Sequence, residues 1–473
     1  MSPERPRTVT ASTDDALGTS DATDLLERLA RREVDASELR AAAVERAQAA
    51  DRHLNGVVRW IEPGPHADAP ARPDAPLAGL PTLLKDNEPL LGYPSLNGSW
   101  AVPETPSPAS SPVVRHLLGL GLDPIAATTL PEFGLTASTE SSRHGATRNP
   151  WDTTRSAGGS SGGSAALVAA GVVPLAHAND GGGSTRIPAA ACGLVGLKPT
   201  RGRLPDAVAA QQLPVQVTAQ GVLTRTVRDT ALYYGHADRL APAPGLPAIG
   251  LVTQPGTTQL RIGLCVTGLR DLPISADTVA AAQHAARLCE SLGHQVDEVG
   301  PPVQERFGPD FLLFWELLAF LLHRGGRRLY GPGFDVTRLE TFTIGMSERL
   351  RRHPGGLAGA LRRLRALARD HEAAFADYDV LLTPVTGHPA PTIGSLGPEV
   401  EFRTHLVRLM RFCAMTPVQN VSGSPAISLP LGRTAGGLPI GVQFAARFGR
   451  ERTLLELALA LEEAAPWPTQ VTG

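Results

Sequence analysis

The sequence predicts an α/β fold: a single compact domain in which a large mixed β-sheet is covered by helices on both faces. Three observations point there. Strand and helix signals alternate along the chain, the pattern of a sheet with helices packed against it. Hydrophobic residues make up 42% and charged residues 19%, a globular balance. No internal repeat and no hinge-like linker divides the 473 residues, so one domain is favoured over the roughly three that length alone allows.

Residues 1–20 are polar, without apolar periodicity, and read as a disordered tail; residues 21–473 read as the domain. Ser20-Asp21 caps a helical pattern carrying Leu25, Leu26 and Leu29, and a second helix begins near Asp35-Ala36-Ser37. Residues 62–77, rich in Pro, Ala and Asp, read as a surface loop. The apolar run Leu80-Pro81-Thr82-Leu83-Leu84 predicts a buried strand that delivers Lys85 at its end. A helix around Val113–Leu120 and a strand at Pro124–Ala127 follow, then an irregular segment from Ser138 to Gly159. Gly158–Ser164 opens an alanine-rich helix through Ala170, and a strand at Val172–Ala176 leads into Asn179–Ser184. Strands are further expected at Gly221–Leu223, Ile262–Val266, Val380–Leu382, Ala426–Leu429 and Ile440–Phe444. Helices are expected at Val227–His236, Ala276–Leu292 and Glu451–Glu463. Residues 303–377 are mostly helical and Arg-rich, and the 303–400 segment is the expected variable, substrate-facing region.

Composition excludes several classes of function. Lys+Arg is 44 against 46 Asp+Glu, a formal net charge of −2, so bulk electrostatics give no nucleic-acid partner. The longest apolar stretch, Phe311–Leu322, contains Glu316 and is too short to span a bilayer. The first residues, Met1 to Arg7, lack the apolar core of a signal peptide. Cys192, Cys265, Cys289 and Cys413 are far apart, without CxxC spacing, and read as structural thiols of a cytoplasmic protein. Lys85 and Lys198 are the only lysines, so 42 of the 44 basic residues are arginines. Arginine replaces lysine as a surface charge but not as a proton acceptor, which marks both lysines for chemistry.

Two glycine-serine clusters carry the chemical signal: Gly158–Ser164 and Gly181–Ser184. Neither fits a phosphate-binding G-x-x-x-x-G-K-[ST] or G-x-G-x-x-G pattern, which disfavours a nucleotide-binding module. Successive glycines ahead of Ser184 can instead aim backbone N–H groups at one point, an oxyanion hole with a nucleophile beside it. A serine nucleophile needs a base. His144 and His177 sit in no recognisable triad, and there is no G-x-S-x-G elbow. Lys85, desolvated by the apolar run before it, can lose its proton and serve.

These segments, together with Leu84-Lys85-Asp86-Asn87, Asp180–Pro188, Cys192–Thr200, Gly423–Pro430 and Gly437–Gln443, resemble the amidase signature family. The resemblance runs from about residue 22 to the C-terminal helix. It implies a Ser–cis-Ser–Lys triad in which Ser184 is the nucleophile, Ser160 the bridging serine after a cis peptide bond, and Lys85 the general base. The backbone N–H groups of Gly181, Gly182, Gly183 and Ser184 match the oxyanion loop. Asp180 and Arg186 match its scaffold, Ser161 and Ser164 are hydrogen-bond supports, and Lys198 is structural. The implied activity is hydrolysis of a carboxamide C–N bond without a metal or organic cofactor. The expected partner is a small-molecule amide, with a homodimer as the expected assembly and neither nucleic acid nor membrane. Ala176–Ser184 and Gly221–Asp229 look most like the 6-aminohexanoate cyclic-dimer hydrolase branch. Ala127-Thr128-Thr129 departs from the Lys-Thr-Asn often found in relatives, which bears on the pocket and leaves the triad intact. The alternative within the resemblance is the glutamine-hydrolysing subunit of a tRNA-dependent amidotransferase.

Overall fold

The computed structural model describes residues 7–64, 68, 74–269, 272–373, 375–413 and 415–471. Helices α1 (Ala22–Ala30) and α2 (Ala36–Leu54) begin at Asp21 and Asp35, whose carboxylates accept the orphan N–H groups of Asp24 and Glu38. Asp35 and Glu38 form a full capping box. Strands β1 (Val57–Trp60), β2 (Pro81–Lys85) and β3 (Asp123–Thr128) build a small sheet in the order β1-β3-β2, with α3 (Pro112–Gly119) between β2 and β3 in sequence. Two ribbons follow, β4 (Glu140–Ser141) with β5 (Gly145–Ala146) and β6 (Arg148–Asn149) with β7 (Asp152–Ser156).

The remaining elements centre on one large sheet. In chain order they are α4 (Gly162–Ala169), β8 (Leu175–Asp180), α5 (Arg186–Cys192), β9 (Val195–Lys198), α6 (Val208–Gln211), β10 (Ala219–Thr224) and α7 (Val227–Leu240). Next come β11 (Arg261–Leu264), α8 (Ala276–Ser291), β12 (Gln295–Glu298), α9 (Phe307–Tyr330), α10 (Thr341–Arg352), α11 (Leu357–Ala373) and β13 (Val380–Pro384). Last are α12 (Phe402–Phe412), α13 (Pro417–Ser422), β14 (Ala426–Arg433), β15 (Pro439–Ala446) and α14 (Glu451–Ala464). The eight strands lie in the order β12-β11-β13-β15-β14-β9-β10-β8. β11 runs parallel to β12 and β13, and the other neighbours are antiparallel, so the sheet is mixed. Every residue of β10 and β15 is buried. Side chains alternate between faces, so both faces of the sheet are covered. The α/β architecture stands.

Two expectations need correction. Residues 7–20, expected to be disordered, are packed down: Val9 and Ala11 N–H groups donate to the carbonyls of Pro150 (2.8 Å) and Ala170 (2.7 Å). Val9, Ala11 and Leu17 join the core, and buried Arg46 holds Asp15 at 2.6 Å. Small apolar residues spaced without a period still fill a seam, which periodicity cannot detect. Residues 1–6 of that tail, and 65–67 and 69–73 of the expected surface loop, lie outside the described residues. The strand expected at Val172–Ala176 starts after Pro174 and runs to Asp180, carrying His177, Asn179 and Asp180. The strand expected at Val380–Leu382, within the 303–400 segment, is β13, an inner strand of the sheet.

One buried charge network ties α14 to the loop after β9. Arg203 and Glu451 side chains are fully buried and meet at 2.9 Å, and Arg203 also reaches Asp238 at 3.0 Å. Removing one partner of a buried pair strands the other charge. Glu451→Ala is expected to cost about 3–5 kcal/mol, read as a lower denaturant midpoint at unchanged slope.

Candidate active site

Strand β2 ends at Lys85, whose side chain has no solvent exposure. Its Nζ donates to Ser160 Oγ and to Asn179 Oδ1, both at 2.7 Å. Burial pushes the ammonium down to about 7, against the pull of the Asp180 and Glu88 carboxylates. The Asn179 amide is turned by its own donation to Asn87 Oδ1 at 3.1 Å, which leaves its oxygen facing Lys85. A neutral amine that gives an N–H to Asn179 can aim its lone pair at Ser160. Sequence reasoning missed Asn179. The signal was a polar residue next to Asp180 at the end of a strand.

His177 stands behind Lys85. Its Nδ1 accepts the Lys85 backbone N–H at 3.3 Å, and Nε2 faces Gln220 Oε1 at 3.1 Å. Burial pushes its imidazolium down to about 4, so the ring is neutral. His144 is likewise pushed down to about 4 and lies beside Asn55, whose amide donates to its carbonyl.

The Gly158–Ser164 cluster crosses behind this amine. The Gly159–Ser160 peptide bond is cis. A Cβ on Gly159 would come within 2.8 Å of the Ala137 and Ser138 backbone, so only glycine fits. Ser161 N–H donates to the Ser184 carbonyl at 3.3 Å, and its Oγ reaches the Asn179 carbonyl at 3.4 Å. Ser164 Oγ bonds the His177 carbonyl and Thr128 Oγ1, both at 2.8 Å. Thr128, which lies between the two departures from common usage at Ala127 and Thr129, sits in this support.

The Gly181–Ser184 loop hangs on a buried ion pair. Arg186 Nε and Nη2 grip the two oxygens of Asp180 at 2.9 Å each, and both side chains are fully buried. Arg186 continues to Gln443 (2.6 Å) and Asn420 (2.7 Å), and Asn420 returns an N–H to Asp180 at 2.8 Å. Arg186 holds the Asp180 carboxyl far below the usual carboxylate range despite its burial. Asp180 also accepts the Gly183 N–H at 2.7 Å. This corrects the expected oxyanion set: the Gly183 donor is already spent. Gly183 is needed for its φ of +128° and because a Cβ there would run into Thr416. Among the described residues the N–H groups of Gly181, Gly182 and Ser184 meet no acceptor.

Ser184 is 9% exposed and opens into a cavity of about 340 Å³. Gly159, Thr136 and Gly182 share its polar end, while α9 and α12 supply an apolar wall that includes Phe311, Trp315 and Leu409. The Ser160 hydroxyl is held by Lys85, and the Ser184 hydroxyl faces the cavity without a hydrogen bond among the described residues. Lys198 lies apart, buried at the end of β9 with Nζ on the Pro199 carbonyl at 2.6 Å. It too is pushed down to about 7 by burial, with Arg186 adding to the effect. Among the described residues no three His, Cys, Asp or Glu side chains gather to hold a metal ion, and no helix is long and apolar enough to cross a membrane.

Residues 38–455 match the model of the Amidase family. A Mycobacterium leprae protein that bears the provisional name amidase AmiC is 45% identical, covering 96% of this chain and 97% of its own. The 6-aminohexanoate-cyclic-dimer hydrolase of Pseudomonas sp. is 35% identical, covering 94% and 95%. The solved structure of 6-aminohexanoate cyclic dimer hydrolase complexed with substrate superposes with a TM-score of 0.85 at 31% identity, covering 95% of this chain and 98% of that one.

The loop scaffold makes a direct prediction. Asp180→Asn places an amide N–H against the buried Arg186 guanidinium and should cost roughly 3–5 kcal/mol of stability. Equilibrium unfolding above pH 5, where the carboxylate is fully charged in the native and unfolded states alike, measures it.

Proposed function

Because this chain belongs to the amidase signature family, we propose that it cleaves a carboxamide C–N bond through an acyl-enzyme on Ser184, with Lys85 and Ser160 as the proton relay. The carrying observation is the buried Lys85 amine at 2.7 Å from Ser160 Oγ, next to a serine that opens into a cavity. Neutral Lys85 takes the proton of Ser160, and Ser160 takes that of Ser184 as its oxygen attacks the amide carbonyl carbon. The Ser160–Ser184 hydrogen bond forms as substrate seats, since such contacts tighten in the substrate complex. The carbonyl oxygen turns towards the free N–H groups of Gly181, Gly182 and Ser184, each well-placed donor contributing about 3–4 kcal/mol. The relay then returns its proton to the leaving nitrogen, and water, activated the same way, releases the acid. Asp180 and Arg186 hold the loop, and Ser161 fixes Ser184 through its carbonyl. The residue 303–400 segment faces the substrate through α9 and α10. The substrate is a small amide, for which the cyclic 6-aminohexanoate dimer of the similar hydrolases is the reference compound.

Two outcomes test the relay. Ser184→Ala should abolish turnover by on the order of 10⁴-fold or more with an unchanged fold, and a fluorophosphonate probe should label Ser184 alone. Labelling elsewhere, with Ser184→Ala at wild-type activity, moves the nucleophile.

The pH dependence has a definite sign. The folded-state amine of Lys85 is active unprotonated and is pushed down to about 7, so kcat/KM should rise with pH through about 7 and level off above it. Lys85→Arg keeps the charge but accepts no proton. It should lose roughly 10³-fold or more at every pH, whereas Lys198→Arg should keep most of the turnover per folded molecule. Near-normal rates in Lys85→Arg would sink the relay.

A further inference from the structure

We infer that the cavity beside Ser184 takes amides whose larger substituent is neutral and apolar, and shuts out substituents that end in an ammonium or a carboxylate. The inference rests on the amide-hydrolase reading and narrows it to a substrate class. Beyond the reacting end, the wall is made by Phe307, Phe311, Trp315, Leu409, Met410 and Pro417. Phe307, Phe311 and Trp315 form a stacked aromatic face along α9, with ring centroids 5.9 and 5.2 Å apart and interplanar angles of 22° and 27°. Among the described residues lining the cavity there is no Asp, Glu, Lys, Arg or His.

Beyond the reacting end, the side-chain donors of Trp315 and Thr136 are already used. Trp315 Nε1 donates to the Leu135 carbonyl at 3.0 Å, and Thr136 Oγ1 to the Ser138 carbonyl at 3.1 Å. The Cys413 thiol is pushed up to about 12 by burial and stays neutral. The acids on α9 are turned elsewhere: Asp310 is gripped by Arg363 of α11 with two 2.6 Å hydrogen bonds, and Glu316 by Arg349 of α10. A charged end entering this space would therefore lose its water and find no charged partner among the described residues that line it, the costly case of burial. A neutral chain or ring gains contact with the aromatic face instead. Glutamine, which carries an ammonium and a carboxylate, is a poor fit.

An isosteric series isolates the charge: heptanamide, 6-aminohexanamide and adipamic acid, together with the same three ends carried on the nitrogen of an acetamide. In whichever series is turned over, the neutral member should exceed both charged ones in kcat/KM by on the order of 10²-fold. Met410→Glu, at the half-buried rim, should raise the ammonium-ended member and depress the neutral one. Calorimetric binding of the same compounds to Ser184→Ala protein reads the cavity without any turnover. Preferential binding of the neutral member with no turnover by the wild type would keep this inference and remove the hydrolase reading. Equal rates, or equal binding, for charged and neutral members would overturn the inference and leave amide hydrolysis standing.

Discussion

A primary amine buried without solvent is held in this protein between two neutral oxygens, Ser160 Oγ and Asn179 Oδ1, and the reactivity proposed for Ser184 depends on that placement. Two opposing effects decide the proton. Desolvation favours the neutral amine, while Asp180 and Glu88 favour the ammonium. Asp180 is the stronger of the two pulls towards the ammonium, and both of its oxygens are engaged by Arg186. Burial outweighs both pulls and leaves the amine able to act as a base. Arg186, and more weakly Lys198, favour the charged form of Asp180.

The molecule divides its labour between frame and wall. The small sheet, β8, α4, α5 and α13 position Lys85, Ser160, Ser184 and their supports through backbone hydrogen bonds and buried side-chain amides. The cavity wall comes from α9, α10 and α12, and the two acids of α9 pair away from the cavity lining, Asp310 with Arg363 of α11 and Glu316 with Arg349 of α10. Chemistry is thus set by one group of elements and the room for substrate by another. A change such as that at Met410 can alter what is bound without touching the relay.

Much of this was legible in the sequence because it is local. Leu83 and Leu84 announce a buried strand, so the burial of Lys85 was expected, and glycine runs announce turns at Ser160 and Ser184. What stayed hidden was contributed from afar. Gln443 and Asn420, more than two hundred residues from Asp180, complete the loop scaffold. Gln443 closes one of the segments that carry the resemblance, but nothing in the sequence near either residue points to Asp180. Gly183 was grouped with the oxyanion donors because glycine spacing cannot say which N–H is already bonded, and Asp180 takes that one. The strand β12, Gln295–Glu298, escaped detection because its edge position needs no apolar alternation, and α5 because Pro188 sits within its first turn. The packed segment at 7–20 is held by backbone bonds and by Arg46, neither visible as a pattern.

The central claim is that Lys85 is neutral near physiological pH, and the chain's composition makes this directly measurable. With only two lysines, Lys85 and Lys198, lysine labelled with ¹³C at Cε gives two side-chain signals, and the Lys198→Arg protein leaves one. The remaining signal is expected to titrate near pH 7. A midpoint near that of an ordinary lysine, about 10.4, would mean that Lys85 keeps its proton and cannot be the base.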